Sequence, residues 1–398
     1  MTDSTSWQPP AGAAPSAPPS PYSPPATPPP GPGPVPGASG PSTGWTPPPK
    51  PGLIPLRPLT FGALIGASFQ VLRRNPRPTF GFSLLITGIM YVAAAGLIGA
   101  VGLFAFFRLQ SAASTEDADA IAAGSVGMLI VATLIPVALA LVGSAILQGI
   151  MALEVARGTL GEKLRLPGLW RAARGRLGAL IGWSLLLAVV AIIAIGIVAV
   201  GITLLATLGG PVGVGFAVLL GLLAGPVAIA AGFWLGTKLA LVPSVLMLER
   251  LPLGAAVARS WSLTTGYFWK TLGTLLLVSV IVQIVSSIVS FPLQTVLTFG
   301  STLFDPNGSN GTAIVVVILV YLLTIVFSVV FGAIAAVVQG ATPALLYIDI
   351  RMRKEGLDLA LSRFVEARQA GDTTVPDPYL PKAPGAVAPQ AGPASPWS

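Results

Sequence analysis

The chain contains no cysteine and no histidine in its 398 residues. The first absence excludes disulfides, thiolate metal sites and cysteine nucleophiles. The second removes the commonest general base, the commonest metal ligand and the usual partner of a catalytic serine. Charge is scarce as well: Asp, Glu, Lys and Arg make up 9% of the chain, against about 25% in a soluble globular protein. Apolar side chains fill the space, at 53% of residues and a mean hydropathy of +0.82. Most of such a chain must face lipid. No catalytic constellation, metal site or cofactor is expected.

Both ends are proline-rich. Residues 1–58 hold 21 prolines, and Asp3 is the only charge before Lys50. Such a segment cannot bury enough apolar surface to offset its chain entropy, which predicts a disordered tail over 1–52. It has neither the basic start nor the apolar centre of a signal peptide. Ser20-Pro21, Ser23-Pro24 and Thr46-Pro47 leave a docking or phosphorylation role open beside that of a solvated tail. A second disordered Pro/Ala-rich tail is expected over 370–398.

Between the tails lie six long apolar runs: Thr79–Phe107, Ile121–Met151, Leu177–Leu208, Val214–Lys238, Thr271–Phe299 and Thr312–Val338. About 20 helical residues cross the ~30 Å hydrocarbon layer. The expected fold is therefore all-α, a polytopic membrane domain of six transmembrane helices over 53–369. Six crossings put both termini on one side. Of 22 Lys and Arg, 20 fall on that side; Arg108 lies opposite, and Lys238 lies within or near a span. Glu116, Asp117, Asp119 and Asp305 mark the opposite loops. Positive charge stays cytoplasmic, so both termini are expected inside a bacterial plasma membrane. Topology thus accounts for the net charge of +8, and no nucleic-acid partner is needed.

A shift of 192 residues lays Phe61–Gly81 on Leu253–Gly273 without a gap. Gly62, Ala63, Ser68, Thr79 and Gly81 then meet Gly254, Ala255, Ser260, Thr271 and Gly273. A shortened copy lies between them, in Leu166-Pro167-Gly168-Leu169-Trp170 and Arg176-Leu177-Gly178. Pro243 followed by Glu249 stands 100 residues before Pro343 followed by Asp349. The pattern predicts three repeated units, about 53–163, 164–250 and 251–369, each an interfacial helix plus a membrane hairpin. In Leu251–Gly273 a helical stripe of Leu253, Val257 and Trp261 precedes Gly266, the run Tyr267-Phe268-Trp269 and then a span. That order fits a helix lying in the membrane interface.

Few polar groups interrupt the spans. Gln148, Lys238, Gln283 and Gln339 are the candidates for a polar cavity lining. Against that, glutamines bridge helices in ordinary packing, and a lysine at a span end extends its amine to the headgroups. Trp170, Arg171, Arg174, Arg176, Trp261, Trp269 and Lys270 are candidate lipid-interface residues, because each basic group near an anionic surface gains roughly 1 kcal/mol. Glu154, Glu249 and Asp349 close spans 2, 4 and 6 beside arginines. They are read as a ring of salt bridges rather than as acid–base catalysts.

Two segments resemble a known family. They are Ser260-Trp261-Ser262-Leu263 with Gly266–Gly273, and Ala344–Arg353 with Glu355-Gly356-Leu357-Asp358. Both are similar to actinobacterial proteins carrying the glycerophosphoryl diester phosphodiesterase membrane domain, over roughly Leu53–Arg368. The resemblance implies a multi-span fold and assigns no functional residue. The phosphodiesterase domain fused to some members needs histidine and a His-Arg-Gly motif. Neither is present, so that activity is not expected here.

The sequence is read as a non-enzymatic plasma-membrane protein with a lipid-associated or scaffolding role at the cytoplasmic leaflet. Its partners would be membrane lipids and a cytoplasmic protein that reads the proline-rich tails. The alternative is a transporter or channel with a central cavity for a small solute or lipid.

Overall fold

The computed structural model describes residues 52–304, 312–372 and 374–380. The tail over 1–51, the turn Asp305-Pro306-Asn307-Gly308 and the end from 381 lie outside the described residues. Among the described residues there are ten α-helices, one π-helical turn and no strand. The helices are α1 (Phe61–Arg74), α2 (Phe82–Gln110), α3 (Thr115–Thr159), α4 (Leu166–Leu208), α5 (Gly210–Leu239), α6 (Val242–Leu248), α7 (Leu253–Thr264), α8 (Phe268–Phe304), α9 (Thr312–Glu355) and α10 (Leu357–Gln369). The π-helical turn, Arg77–Gly81, leads into α2. Six segments are long and apolar enough to cross a membrane. This is an integral, multi-pass architecture.

Three hairpins, α2–α3, α4–α5 and α8–α9, carry the spans, and α9 touches α1, α2, α3 and α7 as well as α8. The 45 residues of α3 make a rod about 68 Å long, more than twice the thickness of a hydrocarbon layer. The surplus is where the protein packs. One continuous core joins the last turns of α3 (Ile150, Met151, Val155) and α9 (Leu345, Tyr347, Ile348) to Leu64 and Val71 of α1. Leu169 and Leu180 of α4, Val245 and Leu246 of α6, Leu263 of α7 and Leu361 of α10 complete it. Away from this core end the spans are largely exposed: Ile195 and Ile197 of α4 and Leu222 and Val227 of α5 are bare. Lipid is the solvent such surfaces require.

Helix starts follow the local chemistry. Thr60 caps α1 by accepting the Ala63 N–H, and Ser114 caps α3 by accepting that of Asp117. Prolines occupy the first turns of α4, α5 and α6, where the missing N–H has no partner to lose. Helix α7 stops at Gly266 (φ +85°) and α9 at Gly356 (φ +63°), both left-handed. A Cβ at Gly356 would meet only Leu359 Cδ1, at 3.9 Å, so substitution there is a backbone effect alone. Gly356→Ala is expected to cost about 1 kcal/mol, and Gly356→Asn less, read as thermal midpoints in detergent.

The two stretches related by the 192-residue shift fold alike locally. Their N-caps, Thr60 and Pro252, coincide under the shift. Thr79 and Thr271 are both fully buried, and each hydroxyl donates to the carbonyl four residues back, on Asn75 and Tyr267. The middle stretch behaves differently from the expected interfacial helix. Leu166–Leu208 is one unbroken helix, because it has neither the Asn75-Pro76 step of the first stretch nor a left-handed glycine like Gly266. Pro243 restarts the chain as α6 after α5 ends, whereas Pro343 stays inside α9.

Candidate functional site

The core end carries a layer of buried charge. Asp349, 0% exposed on α9, accepts the Leu59 N–H at 2.7 Å, Lys270 Nζ at 2.5 Å and Arg353 Nε at 3.2 Å. Arg353 Nη2 also donates to the Leu59 carbonyl at 2.6 Å. One carboxylate thereby ties the entry to α1, the start of α8 and the end of α9 together. Glu249, 4% exposed after α6, takes Arg259 Nε on both oxygens, at 3.2 and 3.1 Å, and the Tyr347 hydroxyl at 2.8 Å. Arg351 donates to that hydroxyl at 2.6 Å and to Glu355 at 2.9 Å, and Arg259 reaches Glu355 at 2.5 Å. Every charge in this cluster has an opposite within reach, as a buried charge must. Lys354 caps the end of α7, donating to the carbonyls of Ser262 and Thr265 at 2.7 Å each.

Glu154 on α3 is different. It is 3% exposed, and its Oε1 accepts Asn75 Nδ2 at 3.0 Å. Its Oε2 and the nearby Arg74 Nε are both buried without a hydrogen-bond partner. Burial pulls the Arg74 guanidinium below its ordinary value, and the Glu154 charge opposes that shift. Two of the three carboxylates foreseen as a salt-bridge ring are thus ion-paired, and the third is held by an amide.

Beyond α10 the chain returns to the core. Tyr379 is 2% exposed, and its hydroxyl meets Thr159 Oγ1 and the Ala156 carbonyl at the end of α3. Asp377 pairs with Arg157 at 2.6 Å, and the Tyr379 carbonyl accepts Arg351 at 3.1 Å. A described residue beyond the tail boundary expected at 370, Tyr379, therefore belongs to the core. The lone aromatic of Asp377-Pro378-Tyr379-Leu380, inside a Pro/Ala-rich stretch, was the signal available for it. Pro378 and Leu380 wall a cavity of about 570 Å³ over Glu249, Arg259, Arg351 and Glu355. A second cavity, of about 590 Å³, lies between α2 and α3 at the far end, beside Arg108 and Asp117.

The four residues proposed to line a cavity are not brought together. Gln148 is half-buried on α3 where it passes Gly340 of α9. Gln283 is exposed and donates to Ser287 on its own helix, and Gln339 is exposed on α9. Lys238 ends α5 with its amine 5.3 Å from the Trp261 ring and 3.4 Å from Thr265 Oγ1. None of the four lines either cavity.

The candidate interface residues fall into two groups. Lys270 is consumed by Asp349, and Trp261 packs edge-on against Trp234 with centroids 5.4 Å apart. Trp269 stands 80% exposed at the start of α8. At the other corner, Trp170 is exposed and packs edge-on against Phe82, centroids 6.2 Å apart. Arg171 and Arg174 are exposed beside it, and Arg176 is half-buried. Asn75 Nδ2 donates to the Leu164 carbonyl at 3.1 Å, which brings exposed Arg73 and Arg77 to the loop bearing exposed Lys163 and Arg165. These six exposed cations form a basic corner. Among the described residues none of them is in an ion pair, in contrast to Arg157, Arg259, Lys270, Arg351 and Arg353. No family model, curated protein or solved structure matches the chain.

Proposed function

We propose that this is a non-enzymatic integral membrane protein that holds anionic lipid headgroups at the corner formed by α1 and the starts of α2 and α4. The core end would face the cytoplasm, and the proline-rich tails would recruit a partner. The observation that carries this reading is the division of the cations. Those near α7 and α9 are spent on Glu249, Asp349 and Glu355, while Arg73, Arg77, Lys163, Arg165, Arg171 and Arg174 are exposed and unpaired. An unpaired cation near an anionic leaflet gains roughly 1 kcal/mol. The exposed Trp170 beside Phe82 suits the headgroup level, where amphipathic rings collect.

The test is lipid retention by the full chain in nanodiscs containing phosphatidylglycerol, counted by native mass spectrometry. The double variant Arg171→Ala/Arg174→Ala should retain roughly tenfold less of it, and the wild-type figure should fall as salt is raised. Unchanged retention in the double variant would sink the reading.

A further inference from the structure

Beside the basic corner lie two buried polar atoms without a hydrogen-bond partner, Glu154 Oε2 and Arg74 Nε. Both oxygens of Glu249 and both of Asp349 are engaged. Glu154, in the corresponding place at the end of α3, leaves Oε2 without a partner although it is buried. Arg74 Nε, the other open group, lies 3.9 Å from the point where a Cβ on Gly158 would stand, one helical turn along α3 from Glu154. One group is an acceptor and the other a donor, and Arg74 and Glu154 attract each other without closing to an ion pair. Asn75 is half-buried and bonded to both Glu154 and Leu164. Its chain neighbours Arg73 and Arg77, and Lys163 and Arg165 next to Leu164, are exposed.

Buried polar atoms left open are costly, and native structures fill them. A group that satisfies a donor and an acceptor together must itself be both, which is the chemistry of a hydroxyl. The free cations of the basic corner call for a phosphate. We propose that the basic corner selects anionic lipids whose headgroup carries a free hydroxyl beside its phosphodiester. The phosphate sits on the exposed arginines, and the hydroxyl bridges Arg74 Nε and Glu154 Oε2. This inference rests on the headgroup-binding reading above and sharpens it from charge to chemical class.

Phosphatidylglycerol and phosphatidylethanol with the same acyl chains carry the same charge and differ in headgroup hydroxyls. The experiment offers both in equal amounts to the full chain and reads the retained ratio by native mass spectrometry. Wild type should prefer phosphatidylglycerol on the order of tenfold, the worth of hydrogen bonds to ionised partners. Arg74→Lys keeps the charge and removes the Nε donor, so the ratio should fall to about one. Glu154→Leu should do the same. The wild-type ratio and Arg74→Lys keep the test decisive if Glu154→Leu does not fold. Equal retention by wild type, as when an ordered water fills the gap, overturns hydroxyl selection and leaves headgroup binding standing. Retention of neither lipid, or indifference to Arg171→Ala/Arg174→Ala, overturns both.

Discussion

Asp349→Ala should destabilise the core end by about 3–5 kcal/mol, the cost of removing the buried member of an ion-pair network and leaving a buried N–H unbonded. Three donors lose their acceptor at once: the Leu59 N–H, Lys270 and Arg353. No water replaces it readily, because Asp349 is wholly buried. Asp349→Asn keeps the shape and one acceptor for Leu59, so it should fall between wild type and alanine. Arg353→Ala should cost far less, since that side chain is 30% exposed and solvent screens it. Thermal midpoints of the purified chain in one detergent would rank the three. A loss below about 1 kcal/mol for Asp349→Ala, the range of an exposed pair, would mean that this carboxylate does not hold α1, α8 and α9 together.

Tyr379→Ala should cost about 3–5 kcal/mol, the penalty for emptying a buried aromatic site. It should also free the segment 371–380 to protease while the spans stay intact. Tyr379→Phe tests the hydroxyl alone. It removes the contacts with Thr159 and the Ala156 carbonyl and should cost about 1 kcal/mol. The pH dependence has a definite sign. Burial holds the Tyr379 phenol above its ordinary value, so its contribution is complete below about pH 10 and is lost as pH rises beyond that. Docking of the segment should therefore weaken in alkali in wild type and not through this group in Tyr379→Phe. Equal protease resistance of wild type and Tyr379→Ala would remove the anchoring role.

The spans were the most legible feature, and for a simple reason. An apolar run of more than 20 residues has no other stable environment than lipid or a deep core. Leu253–Thr264 was readable as a short helix because the stripe of Leu253, Val257 and Trp261 is interrupted at Gly266. The break expected in the middle stretch was not there to find, since length and composition near 166–178 do not separate one long helix from two. Two of the three carboxylates at the span ends, Glu249 and Asp349, were visible as partners of arginine; Glu154 is held by Asn75 instead. Which arginine each takes was not visible: Glu249 lies 10 residues from Arg259 but 102 from Arg351.

Composition and periodicity alone determined the class of solvent and the number of helices long enough to cross it. Each of these is a property of local sequence acting on a uniform medium. Only the tertiary structure decided that the core gathers at one end, that Tyr379 returns to it, and that Gln148, Lys238, Gln283 and Gln339 stay apart. Only there do the cations divide into paired and unpaired sets. A pairing depends on which helix ends meet, and these groups come from segments up to 294 residues apart, as Leu59 and Arg353 are. Apolar spans slide past one another at little cost in lipid, so sequence patterning carries almost no information on which ends must meet; buried charge at the core end supplies it.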